Sequence, residues 1–251
     1  MTRVGRLDDD QRRRALKTRD AWWTVLVVDP LAIRVLPVLV HARVVTPLRI
    51  TGLAAVLGAA SAGLFFAGQL VFAALLFELR FLVDCLDGKL ARVRGTASPR
   101  GAFADLAADV VLVSGAIAGL GWHLAHDRGV PFELPGAVVF AGLVLFWLIL
   151  YDLAHPAPAS ADSPPGTAWS GLDGWLARHR LERAPRTIEV ETGLLFLAPL
   201  TGSTRVLVIA IALALAYYVV ATVHLFFVLY RRLPATAPVA DAQGDPVDGR
   251  R

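Results

Sequence analysis

The chain has one cysteine, Cys85, so no disulfide forms within its 251 residues. The six histidines, at 41, 123, 126, 155, 179 and 224, are scattered, and no His/Cys cluster offers a zinc site. There is no P-loop, no Gly-x-Ser-x-Gly elbow and no convincing internal repeat. The first 20 residues carry Asp8 to Asp10 and Arg12 to Arg14 without an apolar core, so no cleavable signal peptide is expected. Basic residues form no stripe with interleaved aromatics outside the flanking segments, which sets aside nucleic acid as a partner. Only two of the 25 basic residues are lysines, an arginine bias that fits a GC-rich bacterial source.

Apolar residues, by contrast, are abundant: 56% of the chain is hydrophobic and the mean hydropathy is +0.57. Such a composition places the chain in a membrane. The uncharged run from Ile50 to Phe77 is too long for one span and too short for two. Breaking it at Gly68-Gln69 yields one helix, then a second that continues through Glu78 and Arg80 to about Gly88. Further spans are predicted over 102–124, 135–153, 187–202 and 206–230, six in all, with both termini on one side. Trp22 and Trp23 followed by Thr24 to Val40 read as an amphipathic helix lying in the interface, because Asp29, Pro30, Arg34 and Pro37 argue against a seventh span. The expected organisation is a charged cytoplasmic N-terminus over 1–20, an interfacial helix over 21–45, a six-helix catalytic domain over 46–232 and a disordered tail over 233–251. The segment from His155 to Gly174, rich in Pro, Ala, Ser and Gly, reads as a mobile loop.

With the N-terminus in the cytoplasm, 22 of the 25 basic residues fall inside; Arg128 and Arg205 fall outside and Arg80 within a span. That satisfies the positive-inside rule and lets the basic flanks meet anionic lipid headgroups.

The stretch with most chemical content is Asp-x2-Asp-Gly-x2-Ala-Arg-x8-Gly-x3-Asp-x3-Asp, formed by Asp84, Asp87, Gly88, Ala91, Arg92, Gly101, Asp105 and Asp109. Residues three or four apart share a helix face, so two helices each present an acidic pair. Four carboxylates beside apolar runs are costly unless a cation binds them, and two Mg2+ or Mn2+ ions would balance their charge with hard oxygen ligands. Gly88 removes a side chain where a ligand approaches the backbone, and Gly101 clears space opposite. Arg92 offers a fork of donors suited to phosphate oxygens. One acidic pair alone is ordinarily a solvated helix end. Eight fixed positions arise by chance in such a chain less than roughly once in ten million. Diphosphate chemistry on metal ions is the inference.

This pattern resembles the CDP-alcohol phosphotransferase (CDP-alcohol phosphatidyltransferase) family of membrane enzymes, and the resemblance extends to Lys17 to Trp23, Asp29 to Ala32 and Thr46 to Thr51. The resemblance implies a phospholipid-synthesis transferase that moves a phosphatidyl or similar group from a CDP-linked lipid donor such as CDP-diacylglycerol to a polar alcohol acceptor, releasing CMP. It implies Asp84, Asp87, Asp105 and Asp109 as ligands of two metal ions, and Asp109 also as general base. It puts cytidine near Gly88, Ala91, Gly101 and the Pro47 to Thr51 segment, Arg92 on the diphosphate, a homodimer as the assembly, and an active site facing the cytoplasm of a bacterial cell membrane. Two positions depart from the family pattern: Leu48 stands where a polar residue commonly follows the proline, and Val110 where an arginine commonly follows the last aspartate.

Arg80, four residues before Asp84 and on its face, is expected to contact the acceptor, to buffer the acidic cavity, or to pair with Glu78, Glu189 or Glu191. Arg178, Arg180, Arg183 and Arg186 are expected to anchor the fifth span or to grip a phosphate. Two other readings of the aspartates are a prenyl-diphosphate transferase, which would release diphosphate, and a divalent-cation transporter, which would need no nucleotide.

Overall fold

Proline and a capping side chain start the two helices that flank the acidic one. Thr46 accepts from the Arg49 amide ahead of Pro47, and Ser98 from the Gly101 amide ahead of Pro99. Each side chain satisfies an amide left unpaired in the first turn, while proline has none to lose there. The computed structural model describes residues 7–42, 44–154 and 170–232. In chain order the helices are α1 (Asp9–Ala15), a π-helical turn (Thr24–Val28) continuing into α2 (Asp29–His41), α3 (Pro47–Phe66), α4 (Leu70–Arg94), α5 (Pro99–Arg128) and α6 (Glu133–Ala154). Next come α7 (Ser170–Arg178), α8 (Thr187–Thr192), a second π-helical turn (Gly193–Leu197), α9 (Ala198–Leu200) and α10 (Thr204–Arg232). No strand appears among the described residues. The chain is an all-α polytopic membrane protein.

The boundaries depart from expectation where local chemistry intervenes. α4 runs past Gly88 to Arg94 and stops at Gly95, whose φ of 69° is the left-handed conformation that ends a helix most cheaply in glycine. α5 opens at Pro99, so Gly101 lies inside its first turn. The expected fifth span is interrupted by the π-helical turn at Gly193–Leu197. The expected loop over 155–174 falls outside the described residues except for 170–174, which belong to α7, and the expected tail from Leu233 falls outside them altogether.

Five helical segments are long and apolar enough to cross a membrane: Thr24–His41, Pro47–Phe66, Pro99–Arg128, Glu133–Leu153 and Thr204–Arg232. Thr24–His41, expected to lie in the interface, thus has the length and composition of a span. Its Asp29, whose charge argued against crossing, is buried and ion-paired with Lys89 at 2.9 Å and Arg180 at 2.8 Å. α4 is not among the five, because it carries Glu78, Arg80, Asp84, Asp87, Lys89, Arg92 and Arg94.

Two apolar cores hold the helices. The larger joins α3, α4, α5, α6, the α8–α9 segment and α10 through residues such as Phe65, Phe77, Leu120, Leu124, Leu195 and Ile211. A smaller one packs α1, α2 and the start of α3 on the last turns of α4, through Ala15, Leu36, Ile50, Leu86 and Leu90. The wide exposed apolar faces, including Phe72, Phe140, Trp147, Leu213 and Val220, are what lipid-facing helices present.

A polar strap ties the N-terminal segment to the chain after α7. The Asp20 amide donates to the Arg180 carbonyl at 2.9 Å, and the Glu182 amide to the Asp20 carbonyl at 3.1 Å. Trp22 Nε1 donates to the Glu182 carbonyl at 2.7 Å. Arg180 holds a φ of 62°, unusual away from glycine, and its guanidinium bonds the Lys17 carbonyl and Asp29 on the opposite segment. Arg19 and Arg183 both bond Asp173 of α7, and together they hold its carboxyl down at about 2.

Candidate active site

The antiparallel α4 and α5, joined by the short turn at Gly95, bring the two acidic pairs face to face. One carboxylate oxygen each from Asp84, Asp87 and Asp105 lie within 4.8 Å of one another. Asp105 Oδ1 is buried with no hydrogen-bond partner, an expense that a bound cation would remove. Three hard oxygen donors at this spacing, one of them unsatisfied, fit a divalent metal such as Mg2+ or Mn2+. The Thr51 hydroxyl, one turn into α3, reaches Asp87 Oδ2 and lies 3.1 Å from the Pro47 carbonyl. It thereby sets the orientation of one carboxylate from a third helix.

Asp109 lies outside that trio. Its Oδ1 forms an ion pair with Arg80, whose side chain is only 1% exposed and lies over the Phe77 ring at 5.6 Å. Arg80 therefore does not pair with Glu78, Glu189 or Glu191, the partners expected from the sequence. Glu78 instead accepts from Trp23 Nε1 at 2.8 Å, Glu189 accepts from the Trp23 and Arg186 amides, and Glu191 accepts from the Tyr218 hydroxyl at 3.2 Å. The reason is register: Arg80 is one turn before Asp84 on α4, and the antiparallel α5 sets Asp109 one turn after Asp105 at the same level.

Arg92 Nε and Nη2 donate to the Ala15 carbonyl at 3.2 and 2.8 Å, at the end of α1. The arginine expected on a diphosphate is thus held by the N-terminal segment. Of the later arginines, Arg180 grips Asp29, Arg183 grips Asp173 and Arg186 grips Glu182. Each of these three is paired with a carboxylate of the chain. Leu48, where the family pattern is polar, is 81% exposed.

These groups open onto one cavity of about 300 Å³. Its polar end is lined by Lys17, Asp20, Asp84, Asp87, Gly88, Arg92, Asp105 and Asp109, and its inner end by apolar residues of α5 and α6 such as Val113, Ile117, Leu145 and Phe146, with Val110 between. A methyl group on Gly88 would sit 3.4 Å from Arg92 Nη1, so the bare backbone there widens the cavity rather than avoiding a clash. Pro47, Thr51, Ala91 and Gly101 are not among the lining residues; Thr51 acts through Asp87, and the Gly101 amide donates to Ser98 Oγ at the helix start. The wall residues that carried no site assignment in the sequence include Lys17, Asp20, Glu191 and Tyr218. The signal for the first two was the Lys17 to Trp23 segment, and for Glu191 a carboxylate just inside an apolar run.

The fold and site define a polytopic α-helical membrane protein with an acidic cluster suited to divalent metal in a cavity whose wall is partly apolar. Residues 39–170 match the CDP-alcohol phosphatidyltransferase family, and the chain belongs to that family of enzymes. A segment of 98 residues is 40% identical to the bifunctional IPC transferase and DIPP synthase of Rubrobacter xylanophilus, covering 38% of this chain and 22% of that protein. The fold is similar to Mycobacterium tuberculosis phosphatidylinositol phosphate synthase (PgsA1). A structure of that protein with CDP-DAG bound superposes with a TM-score of 0.58 at 21% identity, over 87% of this chain and 98% of that one. A second, in complex with manganese and citrate, gives 0.58 at 22% identity over 86% and 92%. Family membership sets aside the prenyl-transferase and transporter readings.

Proposed function

We propose that this enzyme transfers a phosphatidyl group from a CDP-linked lipid donor, CDP-diacylglycerol, to a polar alcohol, releasing CMP. The observation that carries the reading is the single cavity that joins the Asp84, Asp87 and Asp105 trio and the Arg80 and Asp109 pair to an apolar inner wall. Phosphate-bearing and hydrocarbon parts of one donor would each find their chemistry there.

Asp84, Asp87 and Asp105, with Asp109 beside them, would hold two Mg2+ or Mn2+ ions, which when bound neutralise the diphosphate and polarise the attacked phosphoryl group. Asp109 is the general base. Its Oδ1 faces Arg80, leaving Oδ2 to take the proton of the acceptor hydroxyl. The acceptor oxygen forms a bond to the phosphorus distal to cytidine as the bond from that phosphorus to the CMP oxygen breaks. Arg92 and Lys17 offset the donor's charge, and Gly88 leaves room for the nucleotide near Ala91, Gly101 and the Pro47 to Thr51 turn. In the membrane, α3, α4, α5, α6, the α8–α9 segment and α10 are the six spans, with the Thr24–His41 segment in the interface and the aspartates facing the cytoplasm of a bacterial cell. A homodimer is the assembly.

The test is Mg2+-dependent CMP release from CDP-diacylglycerol by purified protein across a panel of alcohols, with Asp109→Asn as control. Release that needs an acceptor and vanishes in the variant supports the reading. No release with any acceptor, while Mn2+ still binds, overturns the choice of donor.

A further inference from the structure

Glu191 is a carboxylate set into the inner, apolar part of the cavity. It lies on α8, while the other polar groups of that wall come from three further helices: Arg80 from α4, Ser114 from α5 and Tyr218 from α10. A charged group in a cavity also lined by Val113, Ile117, Val138 and Leu145 costs several kcal/mol unless it is matched, and such residues in membrane proteins line substrate paths. The matching here is partial. Oε1 accepts from the Tyr218 hydroxyl at 3.2 Å, and no ion pair to Glu191 occurs among the described residues. Arg80, buried beside it on the same wall, has its Nε without a hydrogen-bond partner. One side of this compartment therefore presents a free carboxylate oxygen and the other a free guanidinium N–H.

A free acceptor and a free donor lining the same cavity as the proposed base suit a ligand that carries several hydroxyls, each able to donate and accept. A hydrocarbon chain would leave both groups unpaired. Resting on the transfer reaction above, we propose that Glu191, oriented by Tyr218, is a specificity-determining residue that binds a second, non-reacting hydroxyl of a polyhydroxylated acceptor. The reacting hydroxyl then faces Asp109, and Arg80 spans the two by pairing with Asp109 and donating to the acceptor. Alcohols with a single hydroxyl leave Glu191 unpaired in the apolar wall, and that penalty discriminates against them.

The experiment compares wild type with Glu191→Gln and Tyr218→Phe in detergent. Acceptor and donor KM are measured separately, with glycerol, myo-inositol and their monophosphates against the single-hydroxyl alcohols 1-propanol and cyclohexanol. Calorimetric titration of the same polyols into CDP-saturated protein supplies a readout independent of turnover. Loss of one charge-assisted hydrogen bond predicts at least a tenfold rise in polyol KM and Kd in Glu191→Gln, with donor KM unchanged and, because the unpaired charge is gone, a lower KM for single-hydroxyl alcohols. Tyr218→Phe is expected to shift the same constants by a smaller factor. Equal changes in donor and acceptor KM, or unchanged polyol binding in Glu191→Gln, would overturn the assignment. A wild type that binds polyols through Glu191 yet releases no CMP would overturn the transfer reading and leave the polyol site standing.

Discussion

Replacing Arg80 by methionine removes the charge and keeps most of the chain's volume. The side chain is 1% exposed, and its ion-pair partner Asp109 is 35% exposed, through the cavity. Truncating one partner of a fully buried pair costs about 3–5 kcal/mol, because the other charge is left without compensation. Water in the cavity can rehydrate Asp109 in part, so the expected loss for Arg80→Met is smaller, about 1–3 kcal/mol. Removing the second charge as well, in Arg80→Met with Asp109→Asn, relieves that penalty. The double variant should therefore be more stable than the sum of the single effects by about 1–2 kcal/mol. Equilibrium unfolding in mixed micelles, followed by tryptophan fluorescence, measures the cycle. Phe77→Leu serves as a control for the contact between the guanidinium and the Phe77 ring. Single effects that add to within about 0.3 kcal/mol would refute the argument that this pair is energetically coupled.

Thr51→Val keeps the shape and deletes the hydroxyl that orients Asp87, so Mn2+ affinity read by electron paramagnetic resonance should fall about tenfold; an unchanged affinity would show that Asp87 needs no such support. Gly119→Ala places a methyl group 2.8 Å from the Ala62 carbonyl oxygen and 2.9 Å from Phe66 Cδ2, forcing α3 and α5 apart at a cost of about 1–3 kcal/mol, whereas Gly115→Ala, at 3.7 Å from Ala62 Cβ, should be close to neutral. Thermal unfolding of the two variants side by side checks the difference. Asp173 has its carboxyl lowered to about 2 from 3.8, first by its bond to Arg183 and then by that to Arg19. A lowered folded-state value contributes stability that is present above pH 3.8 and is lost as pH falls toward 2, so the gap in unfolding midpoint between wild type and Asp173→Asn should be constant from pH 5 to 8 and close below pH 4. Salt should narrow it as well, since these groups lie at the surface; a gap that persists at pH 2 would sink the assignment.

Much of the site was legible because its spacing is local. Three- and four-residue separations on a helix place Asp84 with Asp87 and Asp105 with Asp109 whatever the rest of the chain does. The turn between them was placed less well: the helix expected to end at about Gly88 runs on to Arg94, and the next opens at Pro99, where Gly95 and Ser98 set the boundaries. The π-helical turns at Thr24–Val28 and Gly193–Leu197 were not legible, since each adds a residue per turn without a residue type that announces it. The partners of Asp29 were hidden for a related reason. Its neutralising partners, Lys89 and Arg180, are 60 and 151 positions away, and no periodicity in α2 points to them.

Composition and near-neighbour spacing were enough for the sequence by itself to determine a helical membrane chain and the acidic pairs, and the resemblance of that spacing to a known signature pointed to the family. Tertiary structure alone decided which charges meet. It joined Arg80 to Asp109 instead of to a glutamate, held Arg92 on the Ala15 carbonyl, drew Lys17 and Asp20 to the cavity through the strap to Arg180, and set Glu191 against Tyr218. The physical reason is that electrostatic partners are selected by distance in space, strongly so where dielectric screening is weak, and those distances are set by how the apolar faces of separate helices pack.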